Sequence, residues 1–182
     1  KDLPGQNKTG LSFQSASETL PLETCETING SWGYNITDDN YKTVKEIIHY
    51  LVNAAGLNTN LLLNVGPMAN GKIQQEFIDS LQAVGSWIQQ HGETIYETRG
   101  NIIGPQDWGV VTAKNKNLFV HLLNTKGEQI FFLPGLTTTV TKGWHYDTKK
   151  KIKFKQQPEG VFIYTGALPE DSYDTVIELV TK

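Results

Sequence analysis

Asn60-Leu61-Leu62-Leu63-Asn64-Val65-Gly66-Pro67 is the stretch on which the fold turns. It reads as a buried β-strand that ends in a polar residue and a Gly-Pro break, then runs into a helix beginning near Gly71. The last strand of a (β/α) barrel delivers its tip to a catalytic rim in this way. Too few strands precede it to close a barrel, so the chain reads as part of a larger enzyme.

The segments on either side fit that reading. Upstream, Asp38 or Asp39 is placed to cap a helix over residues 40–54, where Val44, Ile47, Ile48, Leu51 and Val52 recur at three- and four-residue spacing and Gly56 ends the run. Downstream, a helix is expected over residues 73–91, with Ile73, Phe77, Leu81, Val84 and Ile88 on its apolar side and Gly92 at its end. Earlier in the chain, a short strand is expected over 24–28 with Cys25 buried, after a loop over residues 1–20. Trp32-Gly33-Tyr34-Asn35 then places large rings in an irregular segment.

From Trp108 onward the apolar period shifts from about 3.6 to 2. Strands are expected at 109–113, 118–123, 129–133, 138–141, 152–155, 161–165 and 175–180, separated by turn residues such as Pro134-Gly135 and Pro158-Glu159-Gly160. Many short strands of this kind make an antiparallel β-sandwich. The fold class is therefore α/β followed by all-β. Residues 1–100 are expected to form a segment of a (β/α) TIM-like barrel, and residues 101–182 an antiparallel β-sandwich domain.

Composition narrows the function. The 19 acidic residues against 16 Lys and Arg give a formal charge of -3, with no continuous basic stripe, so nucleic acid is not an expected partner. Apolar runs are too short for a membrane span. Cys25 is the only cysteine, which excludes an intramolecular disulfide and a zinc site built on clustered thiolates. The first residues, Lys1 to Asn7, read as a loop and not as a signal peptide. Asn7-Lys8-Thr9, Asn29-Gly30-Ser31 and Asn35-Ile36-Thr37 match the N-glycosylation acceptor pattern, which matters only in a eukaryotic secretory context. No G-x-G-x-x-G or Walker lysine pattern supports nucleotide binding.

Sugar hydrolysis needs carboxyl groups across a glycosidic bond and rings lining the subsite. Glu18, Glu23 and Glu26 lie close in sequence to Trp32 and Tyr34. On a strand, Glu23 and Cys25 would point one way and Thr24 and Glu26 the other, so one of the two glutamates could face a rim. Solvated or locally hydrogen-bonded carboxylates are the plainer alternative. Trp32 either stacks on a sugar or seals a barrel end, and Asn64 makes either a rim contact or a turn hydrogen bond. Trp87 and Trp108 read as packing between domains. His91, His121 and His145 lack metal-like spacing and read as ordinary sheet or surface residues, and His49 as a partly exposed helix residue. A second reading is a non-catalytic carbohydrate-binding β-sandwich, using exposed Trp144 and Tyr146, with a helical extension.

Residues 22–35 (Leu22-Glu23-Thr24-Cys25-Glu26-Thr27-Ile28-Asn29-Gly30-Ser31-Trp32-Gly33-Tyr34-Asn35), 61–67 with Gly71, 84–88 and 92–96 together resemble the α-L-fucosidases of glycoside hydrolase family 29. The blocks span roughly residues 20 to 100 in the family order, and the remainder looks like the family's C-terminal β-sandwich. The resemblance implies a retaining hydrolase of terminal α-L-fucose that uses no metal or organic cofactor. It implies an Asp nucleophile on a strand ahead of these blocks and an acid/base in a loop ahead of Lys1. Glu23 matches a Glu also regarded as an acid/base candidate and is read here as a supporting rim carboxylate, while Trp32 matches the aromatic wall that contacts fucose. No catalytic residue is then expected within the chain. The expected partners are the N-terminal remainder of the same enzyme and a fucosylated glycan, and the expected location is periplasmic or extracellular.

Overall fold

The computed structural model describes residues 22–168 and 173–182. The expected loop over residues 1–20, with Glu18 and the Asn7 acceptor pattern, lies outside the described residues. Strand β1 (Leu22–Thr27) pairs in parallel with β2 (Thr59–Asn64), bringing Cys25 opposite Leu62 and Thr27 opposite Asn64. Parallel neighbours need a crossover. Helix α1 (Val44–Gly56) provides it, and helix α2 (Gln75–His91) follows β2, continuing into a single 3-10 turn, Gly92–Thr94.

Helix α1 starts later than expected because its cap is Thr43, not Asp38 or Asp39. The Thr43 hydroxyl accepts from the Glu46 amide at 3.2 Å, and the Glu46 carboxylate accepts from the Thr43 amide at 2.7 Å, a complete capping box. Gly56 is the last helical residue and does not stop the helix; the left-handed turn comes at Asn58, φ 56°. On α2 the buried residues are Phe77, Val84, Trp87 and His91, while Leu81 faces solvent. Ile73 and Ile88 pack against the same cluster as Phe77 and Val84, so the face is the expected one except that Leu81 leaves it and Trp87 and His91 join it.

One face of the parallel pair carries the helices: Leu63 packs with Ile28, Ile47, Ile48, Val52, Phe77 and Val84. The opposite face is open, with Leu62 51% exposed and Cys25 half-buried. The expectation of a fully buried strand and a buried Cys25 is corrected accordingly, since helices cover only one side of this two-stranded sheet.

Among the described residues seven antiparallel strands follow, each overlapping an expected one: β3 (Gly109–Lys114), β4 (Asn117–Leu122), β5 (Ile130–Pro134), β6 (Val140–His145), β7 (Lys153–Gln157), β8 (Gly160–Tyr164) and β9 (Thr175–Thr181); β6 is the least well placed, running on to His145 where the expected strand ends at 141. They form a four-stranded sheet, β3-β4-β9-β6, and a three-stranded sheet, β5-β8-β7. Val111, Leu118, Val120 and Leu179 of the first meet Phe131, Leu133, Val161 and Ile163 of the second. Each fully buried aliphatic or aromatic side chain contributes on the order of 1.5–3 kcal/mol.

The four-stranded sheet is covered on both faces, which explains why β3, β4 and β9 are buried along almost their whole length. Val111 points into the sandwich, whereas its neighbour Val110 points into the helical cluster, close against Gly56. The architecture is an α/β unit followed by an all-β unit, a partial (β/α) barrel plus an antiparallel β-sandwich.

Candidate functional site

The C-terminal ends of β1 and β2 lie side by side, and the segments leaving them meet. The Asn64 side-chain amide donates to the Trp32 carbonyl at 2.7 Å. Gly66 passes so close beneath the other segment that a Cβ there would fall 2.5 Å from the Gly33 carbonyl carbon and 2.6 Å from the Tyr34 nitrogen, both backbone atoms. Only glycine permits that approach. This is the physical reason for the Gly66 that follows the polar strand tip in sequence.

Ser31, next to Trp32, is braced from several directions. Thr27 Oγ1 lies 3.2 Å from both the Ser31 carbonyl and Asn29 Oδ1 and shares its one proton between them, and the Ser31 amide donates to Asn29 Oδ1 at 3.3 Å. Ser31 Oγ donates to Asp38 Oδ2 at 2.5 Å. Asp38, expected as a helix cap, is engaged here. The result is a loop of fixed backbone that carries Trp32 57% exposed, with Tyr34 and Ile36 also outward. Asn29 is buried within the same network.

The two carboxylates separate as strand alternation dictates. Glu26 lies on the helix side, where Oε1 accepts from Lys42 Nζ at 3.3 Å and from the Thr27 amide at 2.9 Å; Lys42 Nζ also donates to the Thr27 carbonyl at 2.8 Å. Burial first, and then the Glu26 carboxylate beside it, push the Tyr50 hydroxyl above its ordinary range. Glu26 is thus a packing carboxylate between β1 and α1. Glu23 is exposed on the same side of the pair as Cys25 and Leu62. It stands four residues before Thr27, about 13 Å along an extended strand from the tip where Trp32 is held.

The histidines are more engaged than their spacing suggests. His121 is fully buried, with Nδ1 2.6 Å from Asp174 Oδ2 and Nε2 3.1 Å from Thr112 Oγ1, whose hydroxyl donates to the Thr94 carbonyl at 2.6 Å. The order carboxylate, imidazole, hydroxyl is that of a nucleophilic triad. Here Thr112 has no exposed surface and its proton is already donated, so the chain ties the four-stranded sheet to the 3-10 turn after α2. His91 is also buried, contrary to expectation. It stacks on Trp87 with ring centroids 4.9 Å apart, and its Nε2 lies 2.8 Å from Asp147 Oδ1.

Trp108 is likewise not a junction residue: it lies in the sandwich core, edge-on to Phe131. Trp144 Nε1 donates to Glu178 Oε2, and Tyr146 is packed against His91, Phe119 and Lys149. Burial, followed by the nearby Glu93 carboxylate, pushes the Tyr146 hydroxyl up to about 12. Those two rings do not form an exposed platform. Among the described residues no cluster of His, Cys, Asp and Glu is suited to hold a metal ion, and no helix is long and apolar enough to cross a membrane.

The family profile described as Alpha-L-fucosidase matches residues 5–93, the span containing β1, the braced loop, both helices and β2. The plasma α-L-fucosidase of Pongo abelii is 36% identical over 114 residues, covering 57% of this chain and 24% of that protein. The tissue α-L-fucosidase of Mus musculus is 32% identical over 162 residues, covering 81% and 34%. α-L-Fucosidase isoenzyme 1 from Paenibacillus thiaminolyticus superposes with a TM-score of 0.79 at 34% identity, over 90% of this chain and 40% of that one. The chain is homologous to the α-L-fucosidases. The α-fucosidase of Thermotoga maritima solved in complex with fucose superposes with a TM-score of 0.73 at 26% identity, over 87% of this chain and 39% of that one. The chain therefore spans less than half the length of these fucosidases.

Within this fucosidase homologue, the residues singled out by sequence meet only in part. Trp32 and Asn64 converge, Glu23 stays on the open face away from the tip, and Glu26 turns to the helices. Sequence reasoning missed Thr27, Asp38 and Gly66 as braces of the Trp32 loop. For Gly66 there was a signal, a glycine immediately past a strand tip. For Asp38 there was none, because an acid before a helix is what a cap also looks like.

Proposed function

We propose that the chain is the C-terminal portion of a retaining α-L-fucosidase that removes terminal α-L-fucose from glycans. Residues 1–100 form the end of its catalytic barrel and residues 101–182 its β-sandwich. The observation that carries this reading is the hydrogen bond from the tip of β2 to the Trp32 carbonyl, which places an exposed ring at the C-terminal ends of parallel strands. Barrel enzymes build their sites at that end. The open face carrying Leu62, Cys25 and Glu23 is then the interior side of the barrel wall, completed by the N-terminal remainder of the same enzyme.

In this arrangement Trp32 packs against the apolar side of fucose, and Glu23 is a supporting carboxylate on the interior wall. The remainder supplies the nucleophile and the acid/base, spaced about 5 Å apart for double displacement with retention. A periplasmic or extracellular location, where fucosylated glycans are met, goes with this reading.

Replacing Trp32 by Ala in the full-length enzyme is expected to lower kcat/KM on an aryl α-L-fucoside by roughly 3- to 10-fold, the scale of one lost aromatic contact. Unchanged kcat/KM would remove Trp32 from the subsite. The full-length enzyme is expected to turn over while this chain alone does not; turnover by the chain alone would defeat the division of the active site.

A further inference from the structure

The outer face of the three-stranded sheet departs from the usual pattern of a solvent-facing sheet. Strand alternation sends Phe131, Leu133, Val161 and Ile163 into the core, so their neighbours face outward. The register aligns these neighbours in rows across the sheet: Ile130, Tyr164 and Lys153 in one, Phe132, Phe162 and Lys155 in the next. The rings of Phe132 and Phe162 stack with centroids 4.5 Å apart, and Ile130 is 53% exposed. A Cβ on Gly160 would meet the Phe132 ring at 3.0 Å, so that ring lies over the glycine and extends the flat apolar surface.

Each row ends in a lysine on the edge strand β7. The segment from residue 149 to 155 holds five lysines of the chain's 16 basic residues, a local concentration that the overall charge of -3 conceals. Lys149 is committed elsewhere, 4.2 Å from the Tyr146 ring centroid and 3.5 Å from Glu178. Lys151, Lys153 and Lys155 are exposed, and among the described residues no ion pair engages them.

Lysines on an edge strand also keep that edge from pairing with a foreign sheet, and their stems shade apolar surface. Edge protection accounts for the lysines. It leaves the three rings and Ile130, which fill the face across β5 and β8, without a role, where the solvent side of an antiparallel sheet is ordinarily polar.

We propose that this face is a docking surface for a sulfated glycan chain. The rings offer stacking surface to the apolar sides of pyranoses. Same-face residues about 6.7 Å apart along β7 set two or more ammonium groups in line beside the rings. The cations are lysines, whose ammonium groups act as point charges toward anionic oxygens. A sulfate ester keeps its charge at any physiological pH and offers several oxygens, so a compact ammonium can meet it from any approach. The inference does not rest on the fucosidase reading, because its readout is binding and not turnover.

The test is calorimetric titration of the full-length protein with dextran sulfate, neutral dextran, polygalacturonate and single-stranded oligo-dT. Dextran sulfate is expected to bind and neutral dextran not to. The Lys153→Gln/Lys155→Gln double variant, which leaves the core untouched, is expected to weaken binding by about tenfold. Phe162→Ala is expected to weaken it comparably, with Tyr164→Ser as the ring variant to use if Phe162→Ala lowers the melting temperature. Failure to bind dextran sulfate would overturn the proposal, as would unchanged affinity in the lysine variant or in the folded ring variant. Equal affinity for polygalacturonate or oligo-dT would overturn the assignment to a sulfated sugar.

Discussion

Asn64 and Gly66 act on Trp32 from below, one by a hydrogen bond to its carbonyl and the other by making room for the backbone that follows it. Neither touches the indole ring, so their effect on a ligand passes through the loop. Asn64→Ala removes a hydrogen bond of about 1 kcal/mol, and Gly66→Ala forces apart backbone atoms that cannot both keep their places. Each variant is expected to raise KM for an aryl fucoside more than it lowers kcat. Each is also expected to increase iodide quenching of the fluorescence that is lost in Trp32→Phe. Trp32 is the most exposed of the tryptophans, which makes that signal separable. Unaltered quenching in both variants would mean that the loop is held by Thr27 and Asp38 without help from β2.

At the scale of elements, α1 is the crossover that makes β1 and β2 parallel, and its start is fixed by Thr43 and Glu46. Thr43→Ala is expected to destabilise the protein by about 1 kcal/mol, read as a lower denaturant midpoint at constant slope. The hydrogen bonds from the Thr43 amide and hydroxyl hold the Glu46 carboxyl below its ordinary range. A carboxyl with a depressed folded-state pKa stabilises above its unfolded value, near 4.3, and loses that contribution as the pH falls through the folded value. The stability difference between the native protein and Glu46→Gln is therefore expected to be present at pH 7 and to shrink below about pH 4. A difference that stays constant across that window would show that the cap works without the charge.

For the whole molecule, the four-stranded sheet is the layer that joins the two halves. Its strands send Val110, Phe119, His121 and Val176 toward the helices, and Val111, Leu118, Val120 and Ile177 toward the second sheet. The Asp174–His121–Thr112 chain, passing to the Thr94 carbonyl, crosses the same junction in a fully buried setting. Removing one partner of a buried ionisable pair leaves the other without its counterpart in a dry site, at a cost of about 3–5 kcal/mol. Asp174→Ala in the full-length protein is expected to lower the free energy of unfolding by that amount, read as a lower denaturant midpoint at constant slope. Loss of helical signal and of tryptophan fluorescence should still coincide, because both halves share one sheet. A midpoint within error of the native one would reduce the chain of hydrogen bonds to a local contact.

Patterns within a few residues were legible in the sequence. The stretch from Asn60 to Pro67, the spacing from Val44 to Val52 and the alternation from Gly109 onward gave the strands and helices their places, because burial on one side imposes a period that composition displays. The split of Glu23 from Glu26 followed from the same alternation. Contacts across long separations were decided only in three dimensions. Sequence could not show that Asp38 would hold Ser31 instead of a helix end, or that Gly66 would lie beneath Gly33. Nor could it show that His121 would find Asp174, 53 residues away, or that Lys153, Tyr164 and Ile130 would share a row. Those pairings depend on strand register and on which sheet packs against which helix. Register and packing are set by the fit of whole elements, and no local period carries that information.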